Sequence, residues 1–458
     1  MTNNDTIVAL STPYGVGGIA VVRLSGDQAI SITQCLFKPK FGTKDLSKAD
    51  SHTVHYGYIV DNDKTVDEVL IAIFKSPNSY TGEDVVEVSC HGSPIVQQEM
   101  VQTFIDYGAR AAEAGEFTQR AFLNGKLDLS QTEAVADLIH AQSQLSKDIA
   151  LNQLRGGFSN DLQEIRKKLL EFASLIELEL DFSEEDVEFA DRTQLETLVR
   201  STLTKVEQLT HSFKLGNAIK NGINTAIVGK PNAGKSTLLN ALLNEERAIV
   251  TEIPGTTRDT LEETMHINGI LFRFIDTAGL RETQDIVEKI GVERARKSIE
   301  QSQVFIYLFD VSHTTLEELK NEIDTLPKTI PYIIVGNKSD NLSNDALERF
   351  KLFDQDMMFI SALKKENIDV LKQRLIELLS LDHIDSSATI VTNARHYNAL
   401  QESSKVLQEV LNSLVHGISG DLLAVDLRQA LHHLGSITGE ITGDDILGNI
   451  FTNFCIGK

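Results

Sequence analysis

Gly229-Lys-Pro-Asn-Ala-Gly-Lys-Ser236 fits G-x-x-x-x-G-K-[ST] and stands between an apolar strand-like run, Thr225-Ala-Ile-Val228, and an apolar helical run, Thr237-Leu-Leu-Asn-Ala-Leu-Leu243. That strand, loop and helix order is the setting in which the pattern binds phosphate. The glycines let backbone N–H groups of Asn232, Ala233 and Gly234 turn inward, and the helix N-terminus at Ser236 and Thr237 adds its positive dipole end. Lys235 reaches the β- and γ-phosphates, and the Ser236 hydroxyl is placed to ligate Mg²⁺.

Working outward, the residues after Gly222 alternate short apolar strands with helical stretches: Thr225–Val228, Leu271–Ile275, Val304–Phe309 and Tyr332–Val335. This alternation predicts a mostly parallel sheet covered by helices. Residues 127–215 are nearly free of glycine and proline, and Leu162, Ile165, Leu169, Phe172 and Ile176 recur at helical spacing. Helical periodicity returns over 394–434, so the α/β block is inserted into a helical domain. The first segment mixes β-rich runs such as Thr6–Leu10 and Ile19–Leu24 with glycine-bearing turns, which reads as α+β. The fold class expected is multidomain α/β: an α+β N-terminal domain over 1–124, a helical domain over 125–216 and 382–458, and an inserted P-loop domain over 217–381.

Three further segments follow the phosphate loop in order. Gly255-Thr-Thr-Arg-Asp259 offers hydroxyls for a magnesium shell and a γ-phosphate sensor, and Thr257 is the magnesium candidate within it. Asp276-Thr-Ala-Gly279, straight after a strand, offers a carboxylate to the metal shell and a glycine N–H to the γ-phosphate. Asn337-Lys-Ser-Asp340 follows another strand; its Asp340 carboxylate accepts N1–H and the 2-amino group of guanine, which adenine cannot supply. Ser361-Ala-Leu363 completes the set. Read from the residues, the nucleotide is held by Asn232–Thr237, by Gly255, Thr256 and Thr257, by Asp276, Thr277, Ala278 and Gly279, by Asn337, Lys338 and Asp340, and by Ser361, Ala362 and Leu363; resemblance to a known GTPase family extends the middle loop to Thr251, Glu252, Ile253 and Pro254. Leu280 beside Gly279 is apolar and cannot orient an attacking water. Arg281, Glu282 and Glu288 are nearby alternatives, each also readable as a solvated helix face.

The chain has 458 residues, about three domains at roughly 150 each. Its 43 Lys and Arg against 66 Asp and Glu give a net charge of −23, which excludes a basic groove over the whole surface. Eight acids and no base lie between Glu177 and Asp191, the pattern of a solvated acidic face. Cys35, Cys90 and Cys455 are too few and scattered for a disulfide framework or a structural zinc site, and no apolar run is long enough to cross a membrane. A reducing cytoplasm is the expected location.

The ordered nucleotide set, together with Tyr80-Thr-Gly-Glu-Asp84, Ala114–Asn124 and the terminal Cys455-Ile-Gly-Lys458, resembles the MnmE (TrmE) family of tRNA uridine-modifying GTPases over essentially the whole chain. The resemblance implies a folate-binding N-terminal domain that forms a homodimer, a discontinuous helical domain and an inserted GTPase domain. It implies work with an FAD-dependent partner, MnmG or GidA, to build a (carboxy)methylaminomethyl group at C5 of the wobble uridine of certain tRNAs. Carried over by motif, Arg23, Glu87, Lys126 and Lys458 contact a formyl- or methylene-tetrahydrofolate; the residues alone read Arg23 and Lys126 as surface charges. Asn232, Thr251, Ile253 (through its carbonyl) and Thr256 match positions that hold a potassium ion, and Glu288 matches the water-positioning acid. Cys455 is a possible chemical group. Two other classes fit parts of the pattern, a ribosome-assembly GTPase switch and a folate-dependent aminomethyl transferase acting on other substrates.

Overall fold

The computed structural model describes residues 5–181, 191–243, 263–275, 296–341, 350, 354, 356–379, 381, 389–416, 420–441, 444–452, 454, 456 and 457. They form two compact units, one from Met1–Ala136, Gln153–Thr202 and Glu402–Lys458, the other from Asp137–Asn152 and Leu203–Gln401.

The first unit is built on a seven-stranded sheet with the order β3-β4-β5-β6-β2-β1-β7. Its strands are β1 Ile7–Leu10, β2 Ile19–Ser25, β3 Phe37–Pro39, β4 Thr53–Asp61, β5 Lys64–Phe74, β6 Val85–His91 and β7 Arg110–Ala111. All pairings are antiparallel except β1 with β7. Alternation along the strands turns Val22, Leu24, Ile71, Ile73, Val86 and Val88 to one face, where they pack with helices α1 (Ala29–Leu36) and α2 (Pro94–Asp106) through Leu36, Met100 and Phe104. The opposite face carries Arg23, Glu87, Val54, Tyr56 and Leu70, the last three exposed. The β4–β5 hairpin turns at Asn62 and Asp63, both at positive φ, as a two-residue turn of matching twist requires.

Helix α3 (Glu116–Leu123) follows β7, and α4 (Leu129–His140), α5 (Gln144–Leu154), α6 (Gly157–Asp181) and α7 (Arg192–Asn221) occupy the expected helical stretch. Along α6, Leu162, Leu169 and Ile176 are fully buried, whereas Ile165 and Phe172 are half-buried. This helix lies along the Gly420–Thr438 helix, where Gly435 leaves room for the Arg166 guanidinium: a Cβ there would sit 3.0 Å from its Nη2. Most of the acidic run lies outside the described residues.

The second unit holds a six-stranded sheet, β13-β12-β11-β8-β10-β9. Its strands are β8 Ile223–Val228, β9 Glu263–Ile267, β10 Ile270–Phe274, β11 Val304–Asp310, β12 Tyr332–Asn337 and β13 Met358–Ile360. Every pairing is parallel except the β9–β10 hairpin. The mostly parallel sheet read from the alternating runs is therefore present. Both faces are covered, by a cluster around Ile227, Phe272, Ile306 and Val335 on one side and Ala226, Phe305, Phe309 and Ile334 on the other. That double burial explains why these strands read as continuous apolar runs. Among the described residues no helix is long and apolar enough to cross a membrane.

Candidate functional site

In the second unit the described nucleotide motifs, 229–236, 337–340 and 361–363, converge because each follows the carboxyl end of a parallel strand, where open α/β sheets bind ligands. The 229–236 loop leaves β8, and helix α8 (Lys235–Leu243) begins inside it. Gly229 packs directly on β11: a Cβ there would meet the Leu308 carbonyl oxygen at 2.0 Å. Asn232 (φ 65°) and Gly234 (φ 97°) take left-handed conformations, and a Cβ on Gly234 would lie 2.2 Å from Asn337 Nδ2. The loop is thus a cradle whose two close approaches exclude any side chain. Lys235 Nζ donates to the carbonyls of Gly229 (2.8 Å) and Lys230 (2.9 Å), and burial pushes its ammonium below the usual lysine range. Ser236 and Thr237 sit exposed on the first turn of α8.

Asn337 is the joint of the site. Only 2% exposed, it donates from Nδ2 to the Ala233 carbonyl (2.8 Å) and accepts the Ala362 amide on Oδ1 (3.0 Å), tying the phosphate loop to the 361–363 loop. Lys338, at φ 65°, donates to Asp310 Oδ2 at 2.6 Å. Burial works to raise the Asp310 carboxyl, but Lys338 and the Ser312 amide outweigh it and hold it low. Asp340 lies on a short helical turn, Ser339–Asn341, and faces Lys364 at 3.3 Å. The Ser361 hydroxyl, then Lys364, keep its carboxyl below the ordinary range, so it is ionised and ready to accept two donors. Leu363 is exposed beside it.

The structure therefore brings together Asn232–Thr237, Asn337, Lys338, Asp340 and Ser361–Leu363. Thr251, Glu252, Ile253, Pro254, Gly255, Thr256, Thr257, Asp276, Thr277, Ala278, Gly279 and Glu288 lie outside the described residues. Of the magnesium pair only Ser236 is placed, and of the potassium set only Asn232. Among the described residues no group of three or more His, Cys, Asp or Glu could hold a metal. The fit to a phosphate-bound magnesium rests on the cradle and on Ser236 at the helix start. Asp310 and Lys230 escaped the sequence reading; Asp310 meets the asparagine-lysine motif only through the pairing of β11 with β12, and its position at the end of an apolar strand was the one signal the sequence offered.

In the first unit Arg23 and Glu87 are direct partners across β2 and β6. Arg23 Nε donates to Glu87 Oε1 at 2.9 Å, Nη2 approaches the same oxygen at 2.7 Å, and the guanidinium lies over the rings of Tyr80 (5.3 Å) and Phe117 (5.7 Å). Arg23 is thus a stacked, preorganised cation facing the outer side of the sheet. Lys126 donates to the Pro77 carbonyl at 3.0 Å, and its stem packs on Gly82. The tail docks nearby: Ala114 bridges Ile456, Ser11 Oγ donates to the Gly457 carbonyl at 3.2 Å, and a Cβ on Gly457 would meet the Leu10 carbonyl at 2.2 Å. Leu10 adjoins Ala9, which pairs with Arg23, so the tail reaches the strand row that holds the Arg23–Glu87 pair. Cys455 and Lys458 themselves lie outside the described residues.

Residues 6–126 match the family described as GTP-binding protein TrmE N-terminus, and residues 129–455 match the MnmE helical domain. The chain is 52% identical to the tRNA modification GTPase MnmE of Christiangramia forsetii, with 100% of each chain covered. It is 52% identical to that of Cytophaga hutchinsonii (100% of this chain, 99% of the relative) and 46% identical to that of Bacteroides thetaiotaomicron (100% of each). A phosphate-loop cradle tied through Asn337 to the 361–363 loop, an N-terminal sheet that seats the C-terminal tail, and likeness of this extent from end to end place the chain in the MnmE family.

Proposed function

We propose that this protein is a GTPase that acts in tRNA modification, building with an FAD-dependent partner of the MnmG (GidA) type a (carboxy)methylaminomethyl group at C5 of the wobble uridine. The observation that carries the reading is the Asn337 joint, which couples phosphate and guanine recognition in one chain whose full-length relatives are named for tRNA modification. GTP places its phosphates against the N–H groups of 232–237 and Lys235, and its base against Asp340. Asp276–Gly279 and Thr251–Thr257 are the nucleotide's further contacts, and Ser236 and Thr257 would supply hydroxyls to Mg²⁺. Asn232, Thr251, Ile253 and Thr256 hold K⁺, which when bound neutralises charge growing between the β- and γ-phosphates. Glu288 orients the attacking water, a role that Leu280 leaves open.

Arg23, Glu87, Lys126 and Lys458 hold a tetrahydrofolate derivative, formyl or methylene, which supplies the one-carbon unit. A stacked guanidinium suits the anionic tail of a folate, and a carboxylate accepts the amide-like donors of a pterin ring. Cys455, three residues before Lys458 in the sequence, is a possible chemical group. The homodimer reading is supported by the outer face of the seven-stranded sheet, where Val54, Tyr56 and Leu70 are exposed on neighbouring strands. With a net charge of −23, the protein leaves most of the phosphate-binding surface for tRNA to its partner. The segments 1–124, 125–216, 217–381 and 382–458 serve as its working domains, and the cytoplasm is its compartment.

The test is nucleoside mass spectrometry of wobble uridine in a strain lacking this gene, complemented with the wild type or with Lys235→Ala. Loss of the modification in the deletion strain, restored by wild type and not by Lys235→Ala, is expected. Unchanged wobble uridine in the deletion strain overturns the reading and favours the ribosome-assembly switch.

A further inference from the structure

Lys230, the second residue of the phosphate loop, carries more of the loop's geometry than its exposed ammonium suggests. Its carbonyl accepts both the Lys235 ammonium (2.9 Å) and the Ala233 amide (3.3 Å), so its backbone fixes two groups that face phosphate. Its side chain leaves the loop and pairs with Glu322 Oε1. The other oxygen of that carboxylate, Oε2, accepts the hydroxyl of Tyr307.

Tyr307 is a residue of β11, 6% exposed, and it pairs in register with Val228, the residue immediately before the loop. The next residue on β11, Leu308, is the one whose carbonyl confines Gly229. The first turn of the loop is therefore pinned to β11 twice, once by backbone contact at Gly229 and once through Tyr307, Glu322 and Lys230. Glu322 is held in turn by the helix Leu316–Thr325, which is fixed at its start by a Thr315–Glu318 capping box and anchored by the fully buried Leu319. Burial, then the bond to Glu322, push the Tyr307 phenol well above its ordinary pKa, so it remains a donor.

We propose that Glu322 is a positioning residue for phosphate binding: bridging Tyr307 and Lys230, it fixes the loop turn whose Lys230 carbonyl orients Lys235. The inference rests on the reading that residues 229–236 hold the phosphates of GTP. A lone exposed Lys–Glu pair contributes little. Here one oxygen of the carboxylate is already committed to a buried hydroxyl on the central strand, so the pair transmits that strand's position to the loop.

The experiment measures fluorescent GTP and GDP affinity, KM and kcat for the full-length protein and six variants. Glu322→Gln keeps an acceptor for Tyr307 and removes the charge; Lys230→Met removes the exposed partner without disturbing the core. Each is expected to raise Kd for both nucleotides, and KM with it, about three- to tenfold, with kcat within about twofold. The double variant is expected to be no weaker than the weaker single, because both break one linkage. Lys230→Arg is expected to stay within about twofold of wild type. Glu317→Gln removes the same charge earlier on the same helix and is expected to change nothing. Unchanged affinity in the two singles, multiplying effects in the double, or an equal effect of Glu317→Gln overturns the proposal. Lys235→Ala tests the underlying reading separately: if it binds GTP as wild type does, the phosphate-loop assignment itself fails.

Discussion

Asn337 shows how much a single buried amide holds. Its two bonds close the gap between the phosphate loop and the 361–363 loop, and Ala233 and Ala362 are both buried. Asn337→Ala leaves both unpaired and is expected to cost about 2–4 kcal/mol of stability and to abolish tight GTP binding. Asn337→Asp, which can still accept from Ala362 but cannot donate to Ala233, is expected to fall between. Urea unfolding followed by far-ultraviolet circular dichroism, with nucleotide titration alongside, checks both. Glu288 tests the chemistry rather than the frame. If it orients water, Glu288→Ala lowers kcat by about 10²–10⁴-fold while GTP affinity stays near wild type. Glu282→Ala serves as control, and hydrolysis by Glu288→Ala within about threefold of wild type at saturating potassium assigns Glu288 to the solvated surface.

Among the elements, the tail has the sharpest consequence. Gly457, at φ 93°, lies against the Leu10 carbonyl with no space for a Cβ, and Phe451 and Phe454 pack with Leu129 behind it. Gly457→Ala is expected to lift the tail from β1 and cut wobble-uridine modification at least tenfold while GTP hydrolysis stays near wild type; hydrolysis assays paired with nucleoside mass spectrometry decide this. Equal loss of both activities shows instead that the tail supports the fold. Elements of this kind differ in how legible they are in sequence. The strands β8, β11 and β12 were readable as apolar runs because both faces of their sheet are buried, and the loops after β8 and β12 because phosphate and guanine chemistry fixes residue types at short spacing. The β9–β10 hairpin went unread although Asn268-Gly269, both at positive φ, is a strong two-residue turn signal between apolar runs. Arg23 looked like a surface charge because Tyr80, Glu87 and Phe117, which make it a stacked and paired cation, come from distant segments that no local period connects. Lys230 and Glu322 were invisible for the same reason.

At the scale of the whole molecule, charge sets the response to acid. In the first unit Asp5, Glu83 and Glu116 surround Arg110 and Arg120, with Arg120 Nη2 at 2.7 Å from Asp5 and 3.0 Å from Glu116. The bond to Arg110 depresses the Asp5 carboxyl; burial favours raising Glu116, but Arg110, the Glu113 amide and Arg120 overcome it. Both carboxyls thus titrate lower folded than unfolded. Their stabilisation is complete above the unfolded carboxylate range near pH 4 and disappears as pH falls through the folded values. Relief of the −23 net charge acts in the opposite direction on the entire chain, so a local readout is needed. Hydrogen exchange of β1 and α3 amides is expected to stay constant from pH 7 to about pH 5, after correction for intrinsic rates, and to accelerate below about pH 4; Arg110→Met is expected to flatten that change. The tail raises a different matter, one of timing. Ser11 and Gly457, joined in the native fold, are separated by 446 residues. A ribosome adding about 5–20 residues per second needs on the order of tens of seconds between them. Through that interval the N-terminal sheet waits with the seat beside Leu10 vacant, so a chain abandoned after the phosphate-loop segment but before its last residues carries that segment without a finished first domain.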